Sequence, residues 1–328
     1  MRIAGTGSAV PERRMTNADF TAILDTSDEW ILQRTGISER RIADPNAEST
    51  FNLSRDALQR ALDAAGMKGS ELDLVIVGTL TSEMPCPSTA VRVAAAVGAV
   101  PAGAFDISAA CCGFVYAMNV AETMVRSGRA KAVGVIGAET LSRVTDYTDR
   151  TCSILFGDGA GAAVLVRDED PALGCIHQSM QADGSRWESL YLPVLPRDVP
   201  ESDLQSTVRL GCLRMNGREV FKFAVTKFRE VIEESLAATR LSANDLSQVI
   251  CHQSNIRIIE AARERIGLDP EKVYVNIDRY GNTSAASVGI CLDELTRAGK
   301  LTPGLPFMMV AFGGGLTWAS SVWSTRGA

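Results

Sequence analysis

This sequence lacks the residues for several kinds of site. It holds only two histidines, His177 and His252, and its eight cysteines show no Cys-x-x-Cys spacing, so no metal-binding motif is recognisable. The formal net charge is −6 and no long basic run occurs, which argues against non-specific binding of nucleic acid. No apolar run is long enough to cross a bilayer. We therefore predict no metal, no nucleic-acid partner and no membrane partner.

A signal peptide is also missing from the first residues, which contain one basic side chain and no apolar core. A chain of 328 residues can bury a core large enough to need no disulfide bonds. We therefore expect reduced thiols and a cytoplasmic location. With 46% apolar and 22% charged residues the composition is that of an ordinary globular protein, and the length suits two packed halves.

An internal repeat is the main architectural feature that the sequence does contain. The segment around Leu62 recurs around Leu236 at an offset of 174 positions, and a second offset of 171 relates Gly128 to Gly299. Repetition of this kind is typical of duplicated structural units. Hydrophobic periodicity predicts helices at 50–65, 114–127 and 217–236 and strands at 74–80 and 249–251. We predict two α/β halves, residues 1–170 and residues 171–328.

Two adjacent cysteines, Cys111 and Cys112, occupy a turn between a short apolar strand and a predicted helix. Unpaired backbone N–H groups and the positive end of the helix dipole meet at such a position, so a thiol there should ionise more easily. The small residues around the pair leave room for a substrate to approach. The alternative is that both side chains are small core residues, as most buried cysteines are.

The two offsets also connect this turn with two other polar turns. The offset of 171 places Asn282 opposite Cys111, and the offset of 174 places His252 opposite Gly78. His252 directly follows a predicted strand, and open α/β folds hold functional groups at the carboxyl ends of strands. A hydrogen-bonded core imidazole is the alternative for His252. If the halves pack about a pseudo-twofold axis, Cys111, His252 and Asn282 should meet in one cleft.

Four motifs carry this pattern further: Asp-Ile-Ser-Ala-Ala-Cys-Cys-Gly-Phe at 106–114, Cys-His-Gln-Ser-Asn at 251–255, Gly-Asn-Thr-Ser-Ala-Ala-Ser at 281–287 and Ala-Phe-Gly-Gly-Gly-Leu-Thr-Trp at 311–318. In sequence and order they resemble the signatures of β-ketoacyl-acyl-carrier-protein synthase III. The resemblance runs nearly end to end. It implies a thiolase fold, in which two βαβαβαββ halves form a five-layered αβαβα arrangement, and a homodimer.

The resemblance also implies an activity. Cys111 would take an acyl group from acyl-coenzyme A, and malonyl-acyl-carrier-protein would lose carbon dioxide to give an enolate that attacks the acyl-cysteine. The products are 3-oxoacyl-acyl-carrier-protein, coenzyme A and carbon dioxide, as at the start of type II fatty-acid synthesis. His252 and Asn282 would donate to the enolate oxygen, and the backbone N–H groups of Cys111 and Gly314 would form the oxyanion hole.

Further residues match the binding positions of the family. No cofactor is implied, since coenzyme A enters only as the thioester of the substrate. Without the resemblance, Trp30 and Phe221 would be read as core residues and the basic residues as a solvated face. The resemblance assigns to coenzyme A and its pantetheine tunnel Trp30, Arg34, Thr35, Arg150, Phe221 and Asn255. Arg218 and Lys222, four residues apart on one face of the predicted helix at 217–236, are predicted to meet the acidic carrier protein together with Gln253 and Arg257.

Two positions depart from the family pattern. Cys112 stands where alanine is more common, and we assign the nucleophile to Cys111 because that residue aligns with Asn282. Cys86, between two prolines, stands where a bulky side chain often reaches across the dimer and closes the acyl pocket. The smaller side chain predicts a roomier pocket and a primer that is branched or longer than acetyl.

Two other classes of function remain open. The chain could be a relative that transfers acyl groups to an alcohol or amine, or condenses them, in a secondary-metabolite pathway. It could also be a non-catalytic binding partner of a carrier protein. Retention of His252 and Asn282 argues against simple transfer, which needs no enolate pocket, and an intact Cys111 argues against a non-catalytic role.

Overall fold

The computed structural model describes residues 1–170 and 173–325. Its strands are β1 (Arg2–Ala9), β2 (Arg14–Thr16), β3 (Glu39–Arg41), β4 (Leu74–Gly78), β5 (Gly103–Ile107), β6 (Ala132–Thr140), β7 (Asp158–Val166), β8 (Gly174–Ala182), β9 (Leu190–Tyr191), β10 (Arg214–Met215), β11 (Val249–Cys251), β12 (Phe307–Gly313) and β13 (Thr317–Ser324). Its helices are α1 (Asn17–Thr21), α2 (Asp28–Thr35), α3 (Thr50–Ala65), α4 (Thr89–Ala96), α5 (Gly113–Arg126), α6 (Arg150–Ser153), α7 (Gly217–Thr239), α8 (Ile256–Arg265), α9 (Ile277–Tyr280) and α10 (Ala286–Arg297).

Two main sheets have the same strand order. The five-stranded sheet runs β1-β7-β6-β4-β5, in which β4 is parallel to β5 and β6, and β7 is antiparallel to both β6 and β1. The four-stranded sheet runs β8-β13-β12-β11, in which β11 is parallel to β12 and the other pairs are antiparallel. The strands β8, β13, β12 and β11 therefore repeat β1, β7, β6 and β4. This order confirms the predicted duplication.

Three layers of helices enclose the two sheets. α3 and α4 cover the outer face of the five-stranded sheet, α7 and α8 cover the outer face of the four-stranded sheet, and α5 and α10 lie between the sheets. A helix between two sheets is apolar on nearly all sides, and Phe114, Met118, Leu292 and Leu295 of the central pair are fully buried. This is the five-layered αβαβα arrangement of the predicted thiolase fold.

Helix α3 shows how the local sequence sets these elements. The Ser49 hydroxyl accepts from the Asn52 N–H at 3.3 Å and caps the first turn. Gly66 ends the helix with a φ of 65°, a left-handed conformation that glycine adopts without strain. The apolar residues recur at helical spacing, so one stripe faces the sheet: Leu53, Ala57, Leu58, Ala61 and Leu62.

In the described part of the C-terminal half, the strand that would match β5 is reduced to a single bridge. Val273 pairs with Val249 at the edge of β11, and the ladder goes no further. Beyond this bridge, the side chain of Gln253 bonds to the backbone in place of a neighbouring strand. Its amide group donates to the Tyr274 carbonyl at 3.1 Å, and its oxygen accepts from the Asn276 N–H at 3.0 Å. These two backbone groups of the edge are thereby satisfied without a fifth strand.

The predicted boundary at residues 170 and 171 adjoins Pro171 and Ala172, which lie outside the described residues. The strands of the five-stranded sheet end at Val166, and the first strand of the other sheet begins at Gly174. Among the helices that the structure describes, none has the length and apolar character needed to span a membrane.

Candidate active site

The Cys111 turn lies between β5 and α5, where the sequence places it. A short 3-10 helix over Ala110–Cys112 leads into α5, which begins at Gly113. The start of α5 touches the end of β4 so closely that a Cβ on Gly78 would lie 2.4 Å from the carbonyl carbon of Gly113. Glycine is therefore needed at Gly78 to bring the cysteine turn onto the end of the sheet.

The structure separates the two adjacent cysteines. Cys112 is fully buried in the apolar core between the sheets, among residues of α5, β12 and β13. Cys111 instead lines the walls of both cavities described below. A substrate therefore reaches the sulfur of Cys111, whereas Cys112 packs as a small core residue.

The Cys111 thiol is held in its neutral form. Burial raises the pKa of Cys111 to about 11, although the Ser284 hydroxyl and the backbone N–H groups of Cys111 and Gly314 partly offset the rise. The expectation that a helix start makes this thiol ionise easily is therefore wrong for the free protein, because lost hydration outweighs the local donors. The thiol proton has to be removed when the sulfur attacks.

His252 follows β11 directly and is 1% exposed. Its Nδ1 lies 2.7 Å from the Ser287 hydroxyl oxygen, and the Phe312 ring packs edge-on with a centroid separation of 5.5 Å. Burial lowers the pKa of His252 to about 3, so the imidazole is neutral at pH 7. In this form it is a hydrogen-bond donor and a weak base.

The Asn282 side chain is oriented by its own turn. The Ser284 N–H donates to the side-chain oxygen of Asn282 at 2.8 Å, which leaves the amide NH₂ group available as a donor. The backbone N–H of Asn282 donates to the Leu155 carbonyl at 2.8 Å, and the Gly157 N–H donates to the Asn282 carbonyl at 3.0 Å. Asn282 therefore offers N–H groups and no negative charge.

One cavity of about 320 Å³ brings the three residues together. Cys111, His252 and Asn282 all line it, as the pseudo-twofold relation of the two halves predicts. The same cavity continues past five of the residues assigned to coenzyme A: Trp30, Arg34, Thr35, Phe221 and Asn255. The arrangement gives a sulfur nucleophile, two neutral donors and a channel for a long substrate in one space.

A second cavity, of about 290 Å³, also borders Cys111. Ser284 and Gly314 line it together with the nucleophile, and its remaining wall is mostly apolar: Leu80, Ala110, Leu141, Phe156, Leu190, Tyr191, Leu192 and Leu213. An apolar wall beside a nucleophile suits a hydrocarbon chain attached to the sulfur.

Comparison with known proteins places the chain in a family. The family models for 3-oxoacyl-[acyl-carrier-protein (ACP)] synthase III and for its C-terminal region match residues 105–184 and 236–325. A beta-ketoacyl-[acyl-carrier-protein] synthase III from Xanthomonas campestris pv. campestris is 49% identical over 321 residues, which cover 98% of this chain and 97% of the relative. The chain belongs to the synthase III family.

Two further comparisons agree with this membership. A beta-ketoacyl-[acyl-carrier-protein] synthase III from Caldanaerobacter subterraneus subsp. tengcongensis is 49% identical over 324 residues, covering 98% of this chain and 97% of the relative. The crystal structure of 3-oxoacyl-[acyl-carrier-protein] synthase III from Aquifex aeolicus VF5 matches with a TM-score of 0.91 and 45% identity, covering 98% of this chain and 99% of that one. The fold and the sequence therefore identify the same synthase III family.

The glycine triplet of this synthase III lies against the nucleophile turn. A Cβ on Gly313 would lie 2.7 Å from the backbone nitrogen of Cys111. The backbone N–H groups of Cys111 and Gly314 both act on the Cys111 thiol and lower its pKa. Two fixed backbone donors therefore converge beside the reacting atom, and their use as an oxyanion hole stays a prediction.

The outer end of the first cavity holds an aromatic ring between two cations. The guanidinium carbons of Arg34 and Arg150 lie 5.4 Å and 5.3 Å from the centroid of the Trp30 ring. Arg150 is exposed, donates to the Asp25 carbonyl at 2.7 Å and does not line the cavity itself, although its neighbour Thr151 does. These residues form a cationic, aromatic rim, and their binding of coenzyme A stays a prediction.

Two predicted tunnel residues use their polar groups inside the protein. The Thr35 hydroxyl donates to the Ile31 carbonyl at 2.7 Å and accepts from the Ile37 N–H at 3.0 Å. The Asn255 amide donates to the Arg34 carbonyl at 3.0 Å, and its oxygen caps α8. Both residues shape the cavity wall and hold it together.

The predicted carrier-protein residues separate into two groups. Arg218, Lys222 and Arg257 are exposed, and Arg257 borders the first cavity beside Phe221, with 5.8 Å between the guanidinium carbon and the ring centroid. Gln253 is 1% exposed and bonds to the edge beside β11. The assignment of Gln253 to the carrier protein is therefore corrected, because a buried, fully engaged amide cannot meet a partner.

Several residues of the site escaped the sequence reasoning. The leucines of the second cavity come from distant segments, so no local spacing reveals them. Ser284 and Ser287 lie within the motif at 281–287, but only the structure shows that they contact Cys111 and His252, respectively. Glu139 is a fully buried carboxyl on β6, and nothing in its neighbourhood in sequence connects it with Cys111.

Proposed function

We propose that this synthase III condenses an acyl-coenzyme A primer with malonyl-acyl-carrier-protein, releasing coenzyme A, carbon dioxide and 3-oxoacyl-acyl-carrier-protein. The observation that carries the proposal is the shared cavity of Cys111, His252 and Asn282, with a second, apolar cavity on the same sulfur. The names of the relatives support this reaction as the start of fatty-acid synthesis.

In the first stage, Cys111 attacks the thioester carbonyl of the primer. The acyl-cysteine then places its hydrocarbon chain in the second cavity, whose wall is mostly apolar. The N–H groups of Cys111 and Gly314 stabilise the oxygen of the tetrahedral intermediate, since both favour negative charge beside the reacting carbon and lower the pKa of the thiol. Coenzyme A leaves through the first cavity, past Trp30 and Arg34.

In the second stage, the malonyl group loses carbon dioxide, and negative charge builds on its thioester oxygen. His252 and Asn282 donate hydrogen bonds to that oxygen, and both are neutral donors. For Nε2 of His252 to carry its proton into the cavity, the Ser287 hydroxyl has to turn its proton from the Ser284 carbonyl, at 2.8 Å, to Nδ1 of His252, at 2.7 Å. A carboxylate at position 282 would repel the enolate, which supports condensation over simple acyl transfer.

The proposed two-stage reaction is tested by mass spectrometry of the intact chain after mixing with acyl-coenzyme A esters. We expect one acyl group per chain, lost in Cys111→Ser and retained in Cys112→Ser, which is the matched control. Adding malonyl-acyl-carrier-protein should then release carbon dioxide and clear the acyl group. Loading that survives Cys111→Ser, or clearance without release of carbon dioxide, would contradict the proposal.

We further propose that the primer is branched or longer than acetyl. The second cavity of about 290 Å³ supports this, and Cys86 is exposed and lines neither cavity of its own chain. Each methylene that enters an apolar wall contributes about 0.8 kcal/mol, or roughly a fourfold gain in kcat/KM. We expect kcat/KM to rise from acetyl- to butyryl- and hexanoyl-coenzyme A. A strong preference for acetyl-coenzyme A would refute this part.

The carrier protein is proposed to dock on three exposed basic residues near the first cavity, Arg218, Lys222 and Arg257. An acidic partner would be attracted to such a group even though the whole chain is negative. Reversing Arg218 and Lys222 to glutamate should raise the KM for malonyl-acyl-carrier-protein at least tenfold and leave acyl loading unchanged. Arg265→Glu, at the far end of α8, is the control, and an equal effect there would contradict the assignment.

We propose that two copies associate through β5. This strand is the outer strand of the five-stranded sheet, and Phe105 on it is 39% exposed. An open edge with an apolar side chain is a surface that a second copy would cover. Light scattering after gel filtration should give a dimer for the wild-type chain and a monomer for Phe105→Glu. A wild-type monomer would refute the proposal.

The remaining parts of the proposal concern setting and organisation. The eight cysteines are free thiols, which supports a reducing, cytoplasmic location. The reaction needs no cofactor beyond the coenzyme A thioester. The division at residue 170 is supported by the strands, since each main sheet uses strands from one side of it.

A further inference from the structure

We propose that Glu139 takes the Cys111 thiol proton through Ser284 when the sulfur is acylated, and returns it when the sulfur is released. This inference rests on the proposed acylation of Cys111. Ser284 touches the reacting sulfur, whereas Glu139 acts only through Ser284. Neither residue belongs to the Cys111, His252 and Asn282 set.

The first support is the geometry of the three groups. The Ser284 hydroxyl oxygen lies 3.3 Å from the Cys111 sulfur and 3.4 Å from a Glu139 carboxyl oxygen. A hydroxyl has one proton and two lone pairs. When its proton faces Glu139, a lone pair is free to receive the thiol proton, so a proton can enter at one side and leave at the other.

The second support is the backbone of Ser284. Its φ is 48°, in the left-handed region that a non-glycine residue seldom occupies. Such a conformation persists only where the surroundings over-determine it, and it is frequent at functional sites. In this conformation the Ser284 hydroxyl stands between the sulfur and the carboxyl group.

The third support is the setting of Glu139, which is fully buried near the end of β6. Its carboxyl accepts from the Thr81 hydroxyl at 2.6 Å and from the Thr79 hydroxyl and the Leu80 N–H, each at 3.3 Å. None of the ion pairs between described residues includes Glu139. These neutral donors fix the carboxyl group but do not neutralise it, and this favours a group that exchanges a proton.

The charged groups around this carboxyl are few. Arg143, in the turn after β6, donates to the Thr81 carbonyl at 3.5 Å and not to Glu139. Ser284 faces Glu139 from the turn before α10, and Cys111 lies behind it. The residues from the end of β4 face it with hydroxyl and N–H groups only.

The pKa values of Glu139 and His252 indicate which of the two groups can accept the Cys111 thiol proton. Burial raises the pKa of Glu139 to about 8, although bonds from Thr81, Leu80, Thr79 and Ser284 oppose the rise. His252, whose pKa burial lowers to about 3, is a far weaker base. A group that ionises near neutral pH is suited to both accept and return a proton.

The proton balance closes over one cycle. During acylation the Cys111 S–H bond breaks, its proton binds Ser284, and the Ser284 proton binds the Glu139 carboxylate. The electron pair on sulfur forms the new S–C bond, and coenzyme A leaves as a thiolate that takes a proton from water. During condensation the S–C bond breaks, Glu139 gives its proton to Ser284, and the Ser284 proton returns to the thiolate.

The test measures the rate constant of acylation by butyryl-coenzyme A, using rapid quench and intact mass, between pH 6 and 10. In the wild type the rate should rise with pH and level off above about pH 8, because only the ionised carboxylate accepts a proton. Glu139→Gln should be about 10²-fold slower at pH 8 and lack this levelling. Glu139→Asp should recover part of the loss, since it restores a carboxylate.

A double variant separates a shared pathway from two structural roles. Ser284→Ala should be slowed like Glu139→Gln, and the two changes together should cost no more than either alone. Glu122→Gln, which removes another buried carboxyl on α5, is the control and should acylate at the wild-type rate. If one variant fails to fold by circular dichroism, the other still tests the relay.

The contrary outcomes are distinct. Equal or faster acylation in Glu139→Gln would overturn the inference, because a carboxylate that only repels the thiolate gives that result. Losses that multiply in the double variant would also overturn it. A wild-type chain that accepts no acyl group on Cys111 would instead refute the proposed function.

Discussion

Acid should destabilise this protein through His252. The imidazole is 1% exposed, and burial lowers its pKa from an ordinary 6.5 to about 3. Below pH 6.5, therefore, His252 binds a proton in the unfolded chain but stays neutral in the folded chain down to about pH 3. His252 contributes no penalty above pH 6.5, and stability is lost as the pH falls from 6.5 toward 3.

The size of the loss follows from the two pKa values. Within this window the contribution of His252 to the free energy of unfolding should fall by about 1.4 kcal/mol for each unit by which the pH is lowered. Between pH 7.5 and pH 4.5 the loss amounts to about 2.5 kcal/mol, a large part of the 5–15 kcal/mol typical of a folded domain. His252 also has to be neutral at pH 7 for its proposed role as a hydrogen-bond donor to the enolate.

Urea unfolding, followed by tryptophan fluorescence at fixed protein concentration from pH 4.5 to 8, measures this slope. Subtracting the curve of His252→Asn from that of the wild type should leave the predicted loss on acidification, whatever the absolute stability of the variant. Glu139, whose pKa burial raises to about 8, changes stability in the opposite direction, but it is present in both chains and cancels in the difference.

The matched control is His177→Asn, which removes the other histidine from β8. His177 is half-buried and its pKa is lowered by burial, so its contribution to the slope should be smaller. Equal slopes in the wild type and in His252→Asn would refute the reasoning, because they would mean that His252 is protonated in the folded chain. The proposal that His252 is a neutral hydrogen-bond donor to the enolate would then be wrong.

Three further predictions concern the cavity, the turn and the imidazole. Leu213→Trp should fill the second cavity and lower kcat/KM for hexanoyl-coenzyme A at least tenfold, with acetyl-coenzyme A little changed. Gly78→Ala should reduce the free energy of unfolding by about 1–3 kcal/mol, because its Cβ would lie 2.4 Å from the carbonyl carbon of Gly113 in α5. Gly184→Ala, with nothing within 4 Å of its Cβ, should be neutral in the same urea assay. Ser287→Ala should slow release of carbon dioxide about tenfold and leave acylation unchanged, since it frees Nδ1 of His252.

The regular elements follow closely from local sequence signals. The predicted helix at 50–65 is α3 with the same bounds, because a serine cap, an apolar stripe and a terminal glycine all agree. The offset of 174 carries Ala65, the last residue of α3, onto Thr239, the last residue of α7. The offset of 171 likewise carries Arg126 onto Arg297, at the ends of α5 and α10.

What the sequence hides depends on burial between distant segments. The helix start alone predicts a lowered pKa for Cys111, whereas burial in the folded chain raises the pKa of this thiol. Gln253 stands in a motif beside exposed residues, yet its amide replaces a missing strand edge. The partnership of Glu139 with Ser284 joins positions 145 apart, and no period or spacing marks such a pair.

The central helices have a consequence for the history of the fold. α5 and α10 belong to different halves, yet each packs against both sheets, and Gly113 of one lies against Ala285 before the other. A solitary half would expose to water the part of its sheet that the other half's central helix covers, together with one side of its own apolar helix. A single-copy ancestor would therefore have needed a second, identical chain to cover these surfaces. Fusion of two gene copies would then have made this reversible association permanent within one chain.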